Sequence, residues 1–270
     1  MKRLAADQIK QIEYEILIEF DRICKDNGLT YCLAYGTALG AERHNGFIPW
    51  DDDIDVHMPR KDYERLFDLF SEGLKSSCDL VSYRDDSSIY QFAKLVDKKT
   101  TAYETFVGPS RSIGLWIDIF PLEPLDSIND KKLKKTLKLN NFYNLWRNFA
   151  VADTNTGSTR MIVLIKKLVC PFAKHLNVKK MNEKLDAIAR DFSTHNSEMS
   201  PYLIDCIGGG IIYKRSSIFP AKPGTFEGRA FPCPANPDDY LATVYGNWKQ
   251  VPPEDKRAVH FPNAFLKDEE

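Results

Sequence analysis

Asp51, Asp52, Asp53 and Asp55 stand within five consecutive positions, and Asp53 and Asp55 are separated by the single apolar residue Ile54. Residues two apart on an extended strand point to the same face. The two carboxylates therefore lie about 7 Å apart along one side, while Ile54 and Val56 are free to enter a core. Paired hard oxygens of this kind suit Mg²⁺, with Mn²⁺ as an alternative. A second strand pattern, Gly114–Phe120, places Asp118 alone among apolar neighbours. A lone buried carboxylate is costly unless it is paired or holds a metal. Asp53, Asp55 and Asp118 thus form a candidate set for one or two metal ions and for phosphoryl transfer.

Gly36-Thr37 supplies the complementary half. It falls where the apolar segment Tyr31–Tyr35 gives way to a helical pattern over Ala38–His44. Glycine lets a phosphate approach the backbone, and a helix N-terminus offers free N–H groups to an anion. Thr37 can cap that helix or bond a phosphate oxygen. The rival reading is a calcium loop with Asp51, Asp53 and Asp55 at positions 1, 3 and 5. Val56 then stands where that loop needs Gly, and Asp62 where it needs Glu. A purely structural ion pair is the other reading of Asp118.

The segments Tyr35–Ala41 and Arg43–Asp55, the latter containing Ile48-Pro49-Trp50-Asp51-Asp52-Asp53-Ile54-Asp55, resemble the LicD family. Fukutin and fukutin-related protein are its distant animal relatives. The resemblance continues through Ile117–Leu122, then Tyr245–Trp248 and Pro252–Arg257, to His260. Asn247-Trp248-Lys249 departs from the family pattern, which has an acidic and then an apolar residue there. The resemblance implies a nucleotidyltransferase-like catalytic core and an enzyme that moves a phospho-substituent. Phosphocholine from CDP-choline would pass to a sugar hydroxyl of a teichoic acid, capsule or lipopolysaccharide precursor, releasing CMP. It also implies Mg²⁺ on Asp53, Asp55 and Asp118, with Asp118 as ligand or general base. The alternatives are another CDP-alcohol such as CDP-ribitol, a nucleotidyltransferase using an NTP, and a degenerate glycan-binding relative.

Further candidates flank these motifs. Arg43 and His44 can reach donor phosphates, or simply complement a helix C-terminus. Lys94 is a lone cation in an apolar strand and can meet a phosphate or extend from a half-exposed strand. Arg257 and His260 lie in the C-terminal signature, where a histidine can move a proton. A choline head group calls for an aromatic cage. Trp50, Trp116, Tyr35, Trp248 and Phe120 are candidates by proximity, and core packing is the competing role for each.

These side chains need elements to hold them. The spacing of Ile9, Ile12, Ile16, Phe20 and Ile23 predicts a helix over 7–27 that ends at Asn27-Gly28. A helix over 62–73 follows the Asp-rich strand. Strands are expected at 78–84, 90–97, 101–106 and 114–120, the last closed by Pro121 and Pro124. The pattern is helical from 130 to about 193, and one further helix is expected over 237–245. The fold class is α+β, a mixed sheet with flanking helices and a basic helical insert. The domain reading is 1–125 for the catalytic core, 126–200 for the insert and 201–270 for a segment completing the site.

The chain has 270 residues and a net charge of −1, which excludes a nucleic-acid binder working by bulk basicity. That total conceals a segregation. Residues 131–184 hold 13 Lys/Arg and two acids, a net +11, so the remainder carries −12. Lysines with Phe142, Trp146 and Phe149 among them suit a helix lying on anionic lipid, as well as a solvated face. The six cysteines are scattered with no C-x-x-C pair, which predicts buried free thiols in a reducing compartment. No apolar run reaches about 18 residues. The expected setting is cytoplasmic, with peripheral contact at the inner face of the membrane, a CDP-linked donor and a lipid-linked glycan acceptor.

Overall fold

The computed structural model describes residues 1–104, 107, 109–128, 131–154, 159–207, 209–257 and 262–268. The first half runs β1 (Lys2–Arg3), α1 (Ala6–Asn27), β2 (Cys32–Leu33), α2 (Tyr35–His44), β3 (Asp55–Pro59) and α3 (Arg60–Ser71). It continues with β4 (Cys78–Val81), β5 (Ala93–Asp97), β6 (Thr100–Tyr103) and β7 (Trp116–Leu125). Three helices follow, α4 (Lys131–Val151), α5 (Arg160–Ala173) and α6 (Val178–His195). The last part holds β8 (Tyr202–Asp205), β9 (Ile211–Lys214), α7 (Arg215–Ile218), β10 (Lys222–Phe226), β11 (Arg229–Cys233), α8 (Pro237–Tyr245) and β12 (Asn263–Leu266). The expected α+β class holds.

The site-bearing sheet has the order β2-β3-β7-β5-β4, with β8 and β9 continuing from the far end of β7. Strands β3 and β7 are parallel, and the other pairings are antiparallel. Their register sets Asp55 opposite Asp118, and the β5–β7 register sets Lys94 opposite Asp118. Val56, Ile117 and Ile119 are wholly buried in the main core, as the alternation requires. Helix α1 covers the sheet with Ile9, Ile16, Phe20 and Ile23. It stops at Gly28, whose φ of 65° is the left-handed conformation glycine adopts without cost.

Two expectations change. The strand over 114–120 was expected to close at Pro121 and Pro124, yet β7 runs through both to Leu125. The N–H of Asp118 donates to the carbonyl of Ile54 on the β3 side. By alternation the Pro121 nitrogen faces the opposite side, where β5 has already ended at Ala93 opposite Ile119. Proline there removes no ladder bond. The Asp-rich run is also less of a strand than its spacing suggested: β3 begins at Asp55, and Asp51–Ile54 are an extended approach to it.

Helix α6 is tied to the sheet by a small core of Leu125, Leu133, Ala189, Phe192, Ile204 and Cys206. A buried ionic cluster reinforces it. Arg60, at the start of α3, donates from Nε to Glu123 on β7 at 2.7 Å and from Nη1 to Asp186 on α6 at 3.0 Å. All six cysteines are free and buried. Among the described residues no helix is long and apolar enough to cross a membrane.

Candidate active site

Three chain segments bring the acids together. The approach to β3 carries Asp51 and Asp53, β3 itself opens with Asp55, and Asp118 lies beside it on β7. The α2 N-terminus packs against them so closely that a Cβ on Gly36 would lie 2.6 Å from Asp51 Oδ2. A side chain at this position would have to displace the Asp51 carboxylate. Gly36, Arg43, Trp50, Asp51, Asp53 and Asp55 line one cavity of about 450 Å³, together with Tyr245 and Trp248.

The electrostatics confirm that these carboxylates feel one another. Burial, then the charges of Asp53, Asp118 and Asp51, hold Asp55 well above the usual carboxylate range, and Lys94 opposes the shift. Burial pushes Asp118 up to about 6 despite its ion pair with Lys94. Asp51 is raised by burial first, with Asp52 adding to it. An acid that the sequence reading passed over, Glu13 on α1, is buried, and its Oε2 has no hydrogen-bond partner. Its pKa is raised by burial and then by Asp52, Asp53 and Asp118. The signal was present: Glu13 falls on the same helical stripe as Ile9, Ile16 and Phe20, where an apolar residue is the norm.

Lys94 is neither a free phosphate ligand nor a half-exposed strand residue. It is 1% exposed, and its Nζ lies 2.6 Å from Asp118 Oδ1 and 3.7 Å from Glu104. Its ammonium also sits 4.3 Å from the ring centre of Trp116 and 4.5 Å from that of Tyr90. Trp116 therefore faces the Asp118 side, as strand parity requires, but this ring already holds a cation. Thr37 does not cap α2, whose N-cap is Ala34. Its hydroxyl oxygen accepts the N–H of Asp55 at 2.8 Å, pinning the first residue of β3 to the turn.

Arg43 donates to the carbonyl of Trp248 at 3.0 Å and to His44 Nε2 at 3.0 Å, which orients the guanidinium at the cavity wall. The Arg257 guanidinium lies 4.2 Å from the ring centre of Trp50. The C-terminal signature thus folds back onto the first motif. Tyr35, which also lines the cavity, packs edge-on against the buried Phe120, 5.4 Å away. His260 lies outside the described residues.

The donor set fits a hard divalent cation, because carboxylate oxygens from Asp51, Asp53 and Asp55 crowd one cavity and the charges of Asp53 and Asp51 raise the proton affinity of Asp55. Among the described residues no three acidic, His or Cys side chains are already drawn to ligation distance. Asp118 is turned onto Lys94 instead. A carboxyl whose folded pKa is raised binds its proton more tightly in the folded state. Its contribution is favourable at low pH and is lost as pH rises from about 4 to about 6. A cation that binds the ionised cluster restores it. The melting temperature is accordingly expected to rise on adding Mg²⁺ at pH 7.5 far more than at pH 4.5. Asp53→Asn should reduce that increment. Equal shifts at both pH values, read by scanning calorimetry, would contradict the assignment.

A glycine turn at a helix N-terminus faces paired aspartates at the entry to one strand and a third acid on its parallel neighbour, an arrangement consistent with a nucleotidyltransferase-type domain. Residues 28–154 match the family model described as LicD/FKTN/FKRP, nucleotidyltransferase domain. The chain is 27% identical over 286 aligned positions to the lipopolysaccharide cholinephosphotransferase LicD of Haemophilus influenzae, covering 98% of this chain and 100% of that protein. An uncharacterized protein of Rickettsia typhi is 33% identical over 63 residues, 23% of this chain and 20% of its own. The chain is thus similar to the LicD family, through its residues 28–154 and along its length to one LicD protein.

Proposed function

We propose that this protein transfers phosphocholine from CDP-choline to a sugar hydroxyl of a surface-glycan precursor and releases CMP. The convergence of Gly36 with Asp51, Asp53, Asp55 and Asp118 carries the reading. Similarity along almost the whole chain to a lipopolysaccharide cholinephosphotransferase supports the choice of substituent. Asp53 and Asp55, with Asp118, would hold Mg²⁺, which when bound neutralises charge on the phosphates.

The chain's own residues do the rest. Gly36 admits the pyrophosphate against the α2 N-terminus, where backbone N–H groups receive it. Arg43 reaches the same cavity as a second positive wall, and Arg257 is held over Trp50 at its rim. Asp118 accepts the proton of the acceptor hydroxyl while Lys94 fixes the carboxylate's direction. The new bond forms between that oxygen and the choline-bearing phosphorus. The bond from this phosphorus to the bridging oxygen breaks, and its electron pair leaves with CMP.

Incubation with CDP-choline and a glycan extract should release CMP only when both are present. Pyrophosphate release from an NTP would instead favour a nucleotidyltransferase. CMP release from CDP-ribitol but not CDP-choline would change the substituent. Glycan binding without turnover would mark a degenerate relative.

We place the acceptor at an anionic membrane surface. Helices α4 and α5 expose Phe142, Leu145, Met161, Leu164, Leu168 and Phe172, the last 76% exposed. Lys134, Lys135, Lys138, Lys166 and Lys167 are interspersed among them. Apolar and cationic groups on one helical unit suit an anionic bilayer interface. Co-flotation with phosphatidylglycerol vesicles is expected at low salt and should fall steeply near 0.15 M, where the screening length is about 8 Å. Binding to neutral vesicles alone, or none at low salt, would refute it.

A further inference from the structure

The tyrosine that opens the phosphate turn is held by residues from the far end of the chain. Tyr35 has φ 41°, a left-handed conformation that a non-glycine residue adopts at a cost. Residues kept in such conformations persist where their surroundings over-determine them. Its N–H donates to the hydroxyl of Tyr240 on α8 at 2.9 Å. Its own hydroxyl donates to Asp205, at the end of β8. Its ring stands edge-on to His57 of β3, 4.9 Å between centres. Asp205, His57 and Tyr240 are wholly buried. Asp205 also accepts the N–H of Ile207 at 2.9 Å and lies 3.3 Å from His57 Nε2. Tyr240 is stacked on Tyr213 of β9, 5.2 Å away.

We propose that Asp205 and Tyr240 are positioning residues that clasp Tyr35 from both ends and so aim the Gly36 turn at the carboxylate cavity. Both lie beyond residue 154, outside the stretch matched by the family model. The clasp explains why a bulky residue stands at a position whose backbone favours glycine. It also gives the C-terminal part of the chain a task at the donor site, a role that rests on the functional reading above. A buried acid is costly, and Asp205 is retained because its hydrogen bonds fix the backbone next to Gly36.

The test uses the full chain with Mg²⁺ and CDP-choline. Asp205→Asn, Tyr240→Phe and the milder Tyr35→Phe should each raise the donor KM about tenfold, the scale of one lost buried hydrogen bond. The acceptor KM should stay put. Tyr35→Gly tolerates the backbone without a clasp, so adding Asp205→Asn to it should have no further effect on donor KM. Additive losses, or an unchanged donor KM in Tyr35→Phe, would overturn the proposal. The Gly36 amide, followed by ¹⁵N-glycine labelling, reports the turn independently of any donor. It should shift in Tyr35→Phe, and an unmoved resonance sinks the clasp even where CDP-choline binds. A shifted resonance in a protein that binds no CDP-choline leaves the clasp standing and removes the functional reading instead.

Discussion

Asp53→Asn should lower acceptor-dependent CMP release by about a thousandfold, equivalent to roughly 4 kcal/mol of lost transition-state stabilisation. The substitution keeps the side chain's size and removes its charge. Asp53 precedes β3 and is only partly buried. Repulsion among the acids falls when one becomes neutral, and the folded state should gain rather than lose stability in the absence of metal. The pairing of a dead enzyme with an unchanged or higher melting temperature separates a chemical role from a structural one. Retained turnover would refute the assignment outright. Loss of turnover with a lowered melting temperature would mark Asp53 as a fold residue. Asp118→Asn carries the complementary prediction: it leaves Lys94, whose ammonium is buried against Trp116 and Tyr90, with only its longer contact to Glu104. Both turnover and stability should fall there, because a buried cation that loses its nearest counter-charge is costly.

The difference between these two aspartates marks what could be read from sequence and what could not. The D-x-D spacing, the turn glycine and the lone acid of the next apolar strand are local patterns, and each has a local physical meaning. The structure brings Gly36, Asp53 and Asp55 into one cavity and Asp118 beside Asp55. The partner of Asp118 is set by strand register, and nothing near Lys94 announces that β5 will lie antiparallel to β7 with those two residues opposite. Thr37 was legible as a polar residue at a helix start. Its role became visible only when β3 was laid beside the turn and its hydroxyl was seen to hold Asp55. His57, Asp205 and Tyr240 are more than 30 residues apart in every pairing, so no window along the chain contains them together. Prolines misled for the opposite reason: Pro121 reads as a strand end unless the neighbouring strand is known to have stopped first.

Arg60→Ala should destabilise the fold by about 3–5 kcal/mol, the scale for removing one partner of a buried ion pair. Arg60 is 7% exposed, and the Glu123 it binds is not exposed at all. Its guanidinium spans three elements, reaching Glu123 on β7, Asp186 on α6 and Glu64 on α3. A planar fork with several donors suits such a junction, and lysine cannot reproduce it. Arg60→Lys should therefore recover only part of the loss. Burial favours protonation of Asp186, but the charge of Arg60, the hydroxyl of Tyr83 and the charges of Arg190 and Arg84 outweigh it and hold the acid below its usual range. A carboxyl with a depressed folded pKa stabilises above its unfolded value of about 4 and loses that contribution as pH falls. The deficit of Arg60→Ala relative to wild type should thus be large at pH 7 and shrink toward pH 3. Urea midpoints at the two pH values measure it. A deficit under 1 kcal/mol at pH 7, or one that grows on acidification, would show that the cluster does not anchor α6 to the sheet. Turnover measured well below the melting temperature should be nearly unchanged, since Glu123 lies five residues beyond Asp118 and the acids of the cavity do not contact Arg60.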